Sequence, residues 1–215
     1  MLTRALALNG AHKVYILGRR LDVLQDCAAS VSTKNIVPIV CDITSKADLQ
    51  AAVSQISADV GYVNIVCCNA GIPGPKTQVI PAKGATLSEF VKAQWEMDIN
   101  EHLDVFRTNV SSVWHNAIAF LELLDAGNKK RNVDWSSQIV TTSSVGGFNR
   151  ATPGNFTYAQ SKAAVNHLTK QLSTILVPYG IRANVIAPGR ESFSCHCLSS
   201  LGAGALLRTE YHSLP

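Results

Sequence analysis

Tyr158 and Lys162 sit four residues apart in the stretch FTYAQSKAAVNHL, residues 156–168. On a helix those positions are neighbours, one turn apart on the same face. A phenol with an ordinary pKa of ~10 is a poor acid or base at neutral pH, and an ammonium beside it favours the phenolate. Together the two side chains could deliver a proton to an oxygen or take one away. A second donor on that oxygen would help. Ser144 is placed for this, ending a strand-like run and separated from Tyr158 by a glycine-rich turn. Asn109, in FRTNVSSVW, reads as a buried amide on a long helix. The plain alternatives are a packed ring, a solvated amine, a strand-end serine and a satisfied core asparagine. Alone, Tyr-x-x-x-Lys is weak evidence, because roughly 0.25 such pairs arise by chance in a chain of this composition.

Groups of this kind need a scaffold to bring them together. Leu2, Ala5 and Leu6 have helical spacing, stopped by Asn9-Gly10. Lys13–Leu17 is a short β-branched and aromatic run, and Leu21, Leu24 and Ala28 return to a helical period. Ile36–Val40 predicts a strand ended by Cys41-Asp42. The next helix has Ser45 as N-cap and Asp48 three residues on. Val63–Cys68 predicts a strand ended by Asn69-Ala70-Gly71, then a Pro/Gly-rich loop to Gly84. One or two helices follow over 87–124, then the strand SQIVTTSS, a helix from about Asn155 to Leu176, and the last strand in IRANVIAPG. Helices alternating with continuous apolar strands predict an α/β fold with a parallel sheet covered on both faces. Ligands of such sheets bind outside the carboxyl ends of the strands. The residues there are Gly18-Arg19-Arg20, Asp42, Asn69-Ala70-Gly71, Ser143-Ser144 and Pro188-Gly189, mostly small or short and polar. That is what a nucleotide laid across the strand ends requires.

Composition narrows the classes. At 215 residues and 47% hydrophobic the chain can bury one core, and 16% charged residues argue against long disorder. The net charge of +4 is mild, and Lys129-Lys130-Arg131 reads as a solvated loop, not a nucleic-acid surface. Four of the six cysteines lie in apolar runs, as reduced thiols do, and Cys195-His196-Cys197 lacks the two-pair spacing of a zinc site. No metal is expected. No signal peptide is evident and no apolar run reaches ~20 residues, so the expectation is a reduced, cytoplasmic chain outside the membrane.

The set CNAG (Asn69–Gly71), RTNV (Asn109), TTSSVGG (Ser144), YAQSK (Tyr158, Lys162) and RANVIAPG (to Gly189) resembles the short-chain dehydrogenase/reductase family in order and spacing over residues 1–189. The resemblance implies a Rossmann-like, doubly wound, three-layer α/β/α domain, a nicotinamide cofactor and a small carbonyl or alcohol substrate. It also implies a homo-oligomer, dimer or tetramer, paired through helices such as those over 103–124 and 156–176. Tyr158 would be the general acid, Ser144 would orient the same oxygen, Lys162 would support the tyrosine and bind the nicotinamide ribose, and Asn109 would hold a relay water. Asn69, Ala70 and Gly71 would line the cofactor cleft, with Pro188 and Gly189 near the nicotinamide. Asp42 would accept from the adenine amino group. Arg19, where a carboxylate would select NAD, suits a 2′-phosphate and favours NADP(H) over NAD.

Two departures from the family stand beside this. Residues 1–189 begin in the helix after the family's first strand and glycine-rich pyrophosphate turn. In sheet order 3-2-1-4-5-6 that strand is central, so two inner edges are expected to be unpaired. The tail 190–215 is divergent, and both ends read as a truncated or mis-spliced form of a complete reductase. The alternative function is a catalytically inactive member that only associates with other subunits.

Overall fold

The computed structural model describes residues 1–151 and 154–189. The helices are α1 (Leu2–Leu8), α2 (Leu21–Ala29), α3 (Lys46–Asp59), α4 (Leu87–Trp95), α5 (Ile99–Phe106), α6 (Ser112–Ala119), α7 (Leu121–Lys130) and α8 (Phe156–Ile175). The strands are β1 (Val14–Gly18), β2 (Ile36–Val40), β3 (Ile65–Cys68), β4 (Gln138–Thr142) and β5 (Arg182–Ile186). Each strand follows a helix and pairs in parallel, as the alternation of periods predicts.

Side-chain parity assigns the faces. Val14, Ile16 and Ile36 pack with Ala7, Ala28 and Val31, under α1 and α2. Tyr15, Leu17 and Ile39 point the other way, onto Leu49, Ala52 and Ile56 of α3 and onto Phe120 and Leu123. A third cluster puts Leu168 and Leu172 of α8 and Val113 and Ala117 of α6 against Ile139, Val66 and Ala183. Helices therefore cover both faces of β1–β2, and α6 and α8 cover one face of the other strands. This is the doubly wound α/β fold expected.

The sheet is divided. β1 pairs only with β2, from Val14↔Ile36 to Gly18↔Val40, and β3–β4–β5 form a separate ladder. No strand lies between β1 and β3 among the described residues. Their facing edges border one cavity of about 810 Å³. The unpaired inner edges were expected, and the two halves are held together by the helices: Tyr15 and Leu17 of β1 share a cluster with Val63, Val66 and Phe120.

Local differences have local causes. The region 87–124 is broken into several helices. Thr86 and Glu89 form a capping box at α4, and the Asp98 side chain accepts from Asn100 N–H to start α5 afresh. Arg107–Ser111 is a π-turn joining α5 to α6. Lys129 and Lys130 are not loop residues but the last turn of α7, where cations meet the helix's negative end, with Arg131 left-handed at φ 51°. No helix is long and apolar enough to cross a membrane, and no cluster of three or more metal-ligating side chains occurs among the described residues. Cys195, His196, Cys197 and the rest of the tail lie outside the described residues.

Leu172, fully buried at the centre of the α8 cluster, is the clearest test of this packing. Leu172→Ala is expected to cost about 2–5 kcal/mol of unfolding free energy, read by urea denaturation, with the outcome below 1 kcal/mol contradicting the placement of α8.

Candidate active site

The site forms where the N-terminal end of α8 crosses the carboxyl ends of β3 and β4. Lys162, only 4% exposed, points its ammonium at the end of β4 and donates to the Thr142 carbonyl at 2.7 Å. The same Nζ lies 5.6 Å from the centre of the Tyr158 ring, as the i, i+4 spacing predicts. Burial pushes the Lys162 amine below its ordinary pKa. The turn after β4 lies directly on this helix. A Cβ on Gly147 would come within 2.7 Å of the Lys162 carbonyl carbon, so only glycine permits that approach. Ser143, beside it, donates to the Lys162 carbonyl oxygen at 3.1 Å.

Ser144 caps the short turn 145–147, its hydroxyl oxygen accepting from Gly146 N–H at 3.1 Å. That bond uses a lone pair and leaves the hydroxyl hydrogen for a substrate. Gly146 is shared by the two candidate donors: a Cβ there would sit 3.4 Å from Ser144 Oγ and 3.9 Å from Tyr158 Cε1. Ser144, Tyr158 and Lys162 are thus brought together.

Asn109 is 1% exposed, inside the π-turn. Its Oδ1 accepts from Ile72 N–H at 2.8 Å, and its Nδ2 donates to the Ile72 carbonyl at 3.0 Å and to Ser161 Oγ at 3.0 Å. Ser161 in turn donates to the Tyr158 carbonyl at 2.7 Å. The side chain is a clamp between the loop after β3 and the start of α8. A Cβ on Gly71 would lie 3.0 Å from Asn109 Oδ1 and 3.5 Å from Lys162 Nζ, which places the Gly71 backbone against both.

The remaining predicted residues ring this centre. Asn69, Ala70 and Gly71 are exposed at the end of β3, and Asn69 Oδ1 accepts from the Thr142 hydroxyl at 2.9 Å. Pro188 and Gly189 follow β5, and the Pro188 carbonyl accepts from Val145 N–H at 3.0 Å, beside Ser144. Arg19 and Asp42 stand at the ends of β1 and β2, away from the other groups. The Asp42 carboxyl is held below its usual range by the Thr44 hydroxyl and N–H, and also by the Arg19 charge. Sequence reasoning missed Ser161 and Thr142. Ser161 is adjacent to Lys162 inside the quoted motif, but the chief contact of Thr142 is a backbone carbonyl, which carries no residue signature.

Set against known proteins, the sequence profile of the short chain dehydrogenase family matches residues 1–192. The chain is similar to the short-chain dehydrogenase/reductase PhomF of Diaporthe leptostromiformis, 44% identical over 191 residues that make up 88% of this chain and 64% of that protein. It is 42% identical over 209 residues to VdtF of Byssochlamys spectabilis, covering 88% of this chain and 68% of VdtF. A short-chain type dehydrogenase/reductase from Mycobacterium marinum superposes with a TM-score of 0.71 at 28% identity, over 87% of this chain and 68% of that one. An NAD⁺-bound xylitol dehydrogenase superposes at 0.69 and 26% identity, over 87% and 65% respectively. The chain spans about two thirds of the length of these relatives, 64% in the case of PhomF.

Two measurements test the geometry. Asn109→Ala strands the Ile72 N–H in a buried setting and is expected to cost about 2–3 kcal/mol in urea denaturation; an unchanged midpoint would rule out the clamp. Lys162 tests the electrostatics. Its native pKa is lowered, so between that value and 10.5 the unfolded chain binds more protons and stability rises with pH. Cys41 and Cys68, pushed up to about 11 and about 12 by burial, act in the opposite sense above pH ~9. The stability of the native protein minus that of Lys162→Met should therefore increase from pH 7 towards 10, and a flat difference would contradict the buried ammonium.

Proposed function

The chain belongs to the short-chain dehydrogenase family, and on that premise we propose an oxidoreductase that reduces a carbonyl or oxidises a secondary alcohol with NADP(H), using Tyr158 as general acid and base. The observation that carries this reading is the buried Lys162 ammonium, 2.7 Å from the Thr142 carbonyl and 5.6 Å from the Tyr158 ring centre, with Ser144 bordering the same ring. An ammonium whose partner is a neutral carbonyl is still costly to bury for packing alone. In a cleft beside a phenol its charge can support proton transfer.

The cofactor can be tested against the residues present. The strand ends offer exposed backbone at Gly71, which lies against Asn109 and Lys162, and open space at Gly189, where a Cβ would meet nothing within 4 Å. Lys162 and Asn69 supply donors towards a ribose, and Arg19 supplies a cation towards a 2′-phosphate. These residues fit the nicotinamide and adenosine ends. A glycine turn for the pyrophosphate is not among the described residues. When bound, the nicotinamide supplies or accepts the hydride. Tyr158 would give a proton to the carbonyl oxygen during reduction and take it back during oxidation. Ser144 would hold that oxygen with its uncommitted O–H, and the Asn109 clamp keeps the helix turn carrying Tyr158 in place.

Arg19, which follows Gly18 at the strand end where a carboxylate would select NAD, is the basis for preferring NADP(H) to NAD. Leu103, Trp114 and Ile118, exposed on α5 and α6, support a homo-oligomer formed through those helices. The free thiols Cys27, Cys41, Cys67 and Cys68 are consistent with a reducing, cytoplasmic setting.

The test begins with fluorescence titration of NADPH and NADH, followed by a carbonyl panel assayed by cofactor oxidation. Saturable binding that prefers NADPH is expected. Arg19→Glu should weaken NADPH at least tenfold while leaving NADH within a few-fold, and equal losses for both would refute the phosphate assignment. Tyr158→Phe should lose at least about 100-fold in turnover with an unchanged melting temperature. Retained turnover in that variant would remove Tyr158 from the proton-transfer role.

A further inference from the structure

α8 begins without a cap of its own. Asn155, at its N-cap position, makes no side-chain bond to the first turn, and no acidic residue stands in that turn. At α3, α4 and α5 a serine, a threonine and an aspartate do accept from the first turn. The uncapped turn of α8 is the one that carries Tyr158, so whatever fixes this turn also fixes the phenol.

One tie comes from α5. His102 places Nδ1 3.0 Å from the hydroxyl oxygen of Thr157, a buried side chain next to Tyr158. The imidazole is itself held, stacked on Phe106 with ring centres 5.3 Å apart and planes 12° from parallel. Val105, fully buried, seats α5 in the interior. Further along the same rod, Asn109 donates to Ser161. Tyr158 therefore lies between two tie points, Thr157 before it and Ser161 after it. Phe90 meets Phe156 edge-on, with 6.3 Å between ring centres, and adds packing at this turn but no directional bond. With the Ser161 tie alone the first turn can pivot; with both it is fixed.

We propose that His102 is a positioning residue for the reaction: acting through Thr157, it sets where the Tyr158 ring stands relative to Lys162 and Ser144. The inference rests on the proposed proton transfer by Tyr158 and gives His102 no proton of its own to move. Distance is the lever. The pull of the Lys162 ammonium on the phenol weakens as the two separate, and a misplacement of about 1 Å in a reacting group can cost roughly 100-fold in rate. The tie is also hard to lose, because a buried hydroxyl left without a partner is costly.

Three substitutions in the full chain test this. His102→Phe keeps a ring on Phe106 and removes the bond. Thr157→Val removes it from the other side with little change of shape. His102→Asn returns a polar atom near the position of Nδ1. Two quantities are read: NADPH-dependent turnover of the carbonyl panel, and ionisation of the Tyr158 phenol, taken as the phenolate absorbance difference from Tyr158→Phe. His102→Phe and Thr157→Val are expected to lower kcat about 10- to 100-fold with KM within about twofold. Both should move the phenol midpoint up by at least about half a pH unit. His102→Asn should return kcat to within about threefold of the native value and bring the midpoint back. An unmoved midpoint in His102→Phe and Thr157→Val would overturn the inference. So would a loss confined to KM, or a loss in His102→Asn equal to that in His102→Phe. Where turnover is too low to measure, the phenol midpoint decides alone. Retained turnover in Tyr158→Phe would instead remove the proton-transfer reading, whatever the His102 variants do.

Discussion

A twenty-residue helix that must bury one face, yet carries three polar side chains at its buried end, sets the terms for everything around it. α8 is anchored by Val165, Leu168 and Leu172, which commits Thr157, Ser161 and Lys162 to the interior as well. Buried polar groups require partners. The Thr142 carbonyl meets Lys162, Asn109 meets Ser161, and the His102 ring faces Thr157 Oγ1 at 3.0 Å. Each partner lies on a different element, so the helix cannot shift along its axis without breaking several bonds together. The reactive end is held by the same interactions that let it be buried at all.

The cost of dividing the sheet falls on the helix layer. Strands normally transmit rigidity sideways through their ladders, and among the described residues no ladder joins β1 to β3. The burden passes to the packing around α3, where Ile56, Phe120 and Leu123 belong to a cluster that takes in side chains from both halves. Arg19 and Asp42 lie on one half and the Tyr158 centre on the other. Their separation is therefore set by side-chain packing, not by backbone hydrogen bonds.

Much of this was legible in the sequence, for identifiable reasons. The alternation of periods yields the fold class because buried parallel strands read as continuous apolar runs. The i, i+4 spacing yields the Tyr158–Lys162 pair because it rests on helix geometry alone. The Ser45 cap is legible because its partner is three residues away: its hydroxyl accepts from Asp48 N–H. What was not legible depends on distant or backbone partners. Asn109 was visible as a buried amide, but its bonds to Ile72 and Ser161 span 37 and 52 positions. Thr142 serves Lys162 through a carbonyl that any residue type would supply. The long helical stretch 87–124 hid its breaks because the side-chain cap at Asp98 and the π-turn at Arg107–Ser111 interrupt a continuing apolar period.

The π-turn at Arg107–Ser111 bears on how the gene can change. A wide turn holds one residue more than an α-helical path between the same two ends. Deleting a single codon there would let the rod from Ile99 to Ala119 relax into regular α-helix at little local cost. The two flanking helices would keep their faces, so the change would fall on the residues inside the turn, Asn109 among them. Asn109 would then lose the position from which it meets Ile72 and Ser161. A shorter gene would thus make a more regular helix at the expense of the clamp that the extra residue carries.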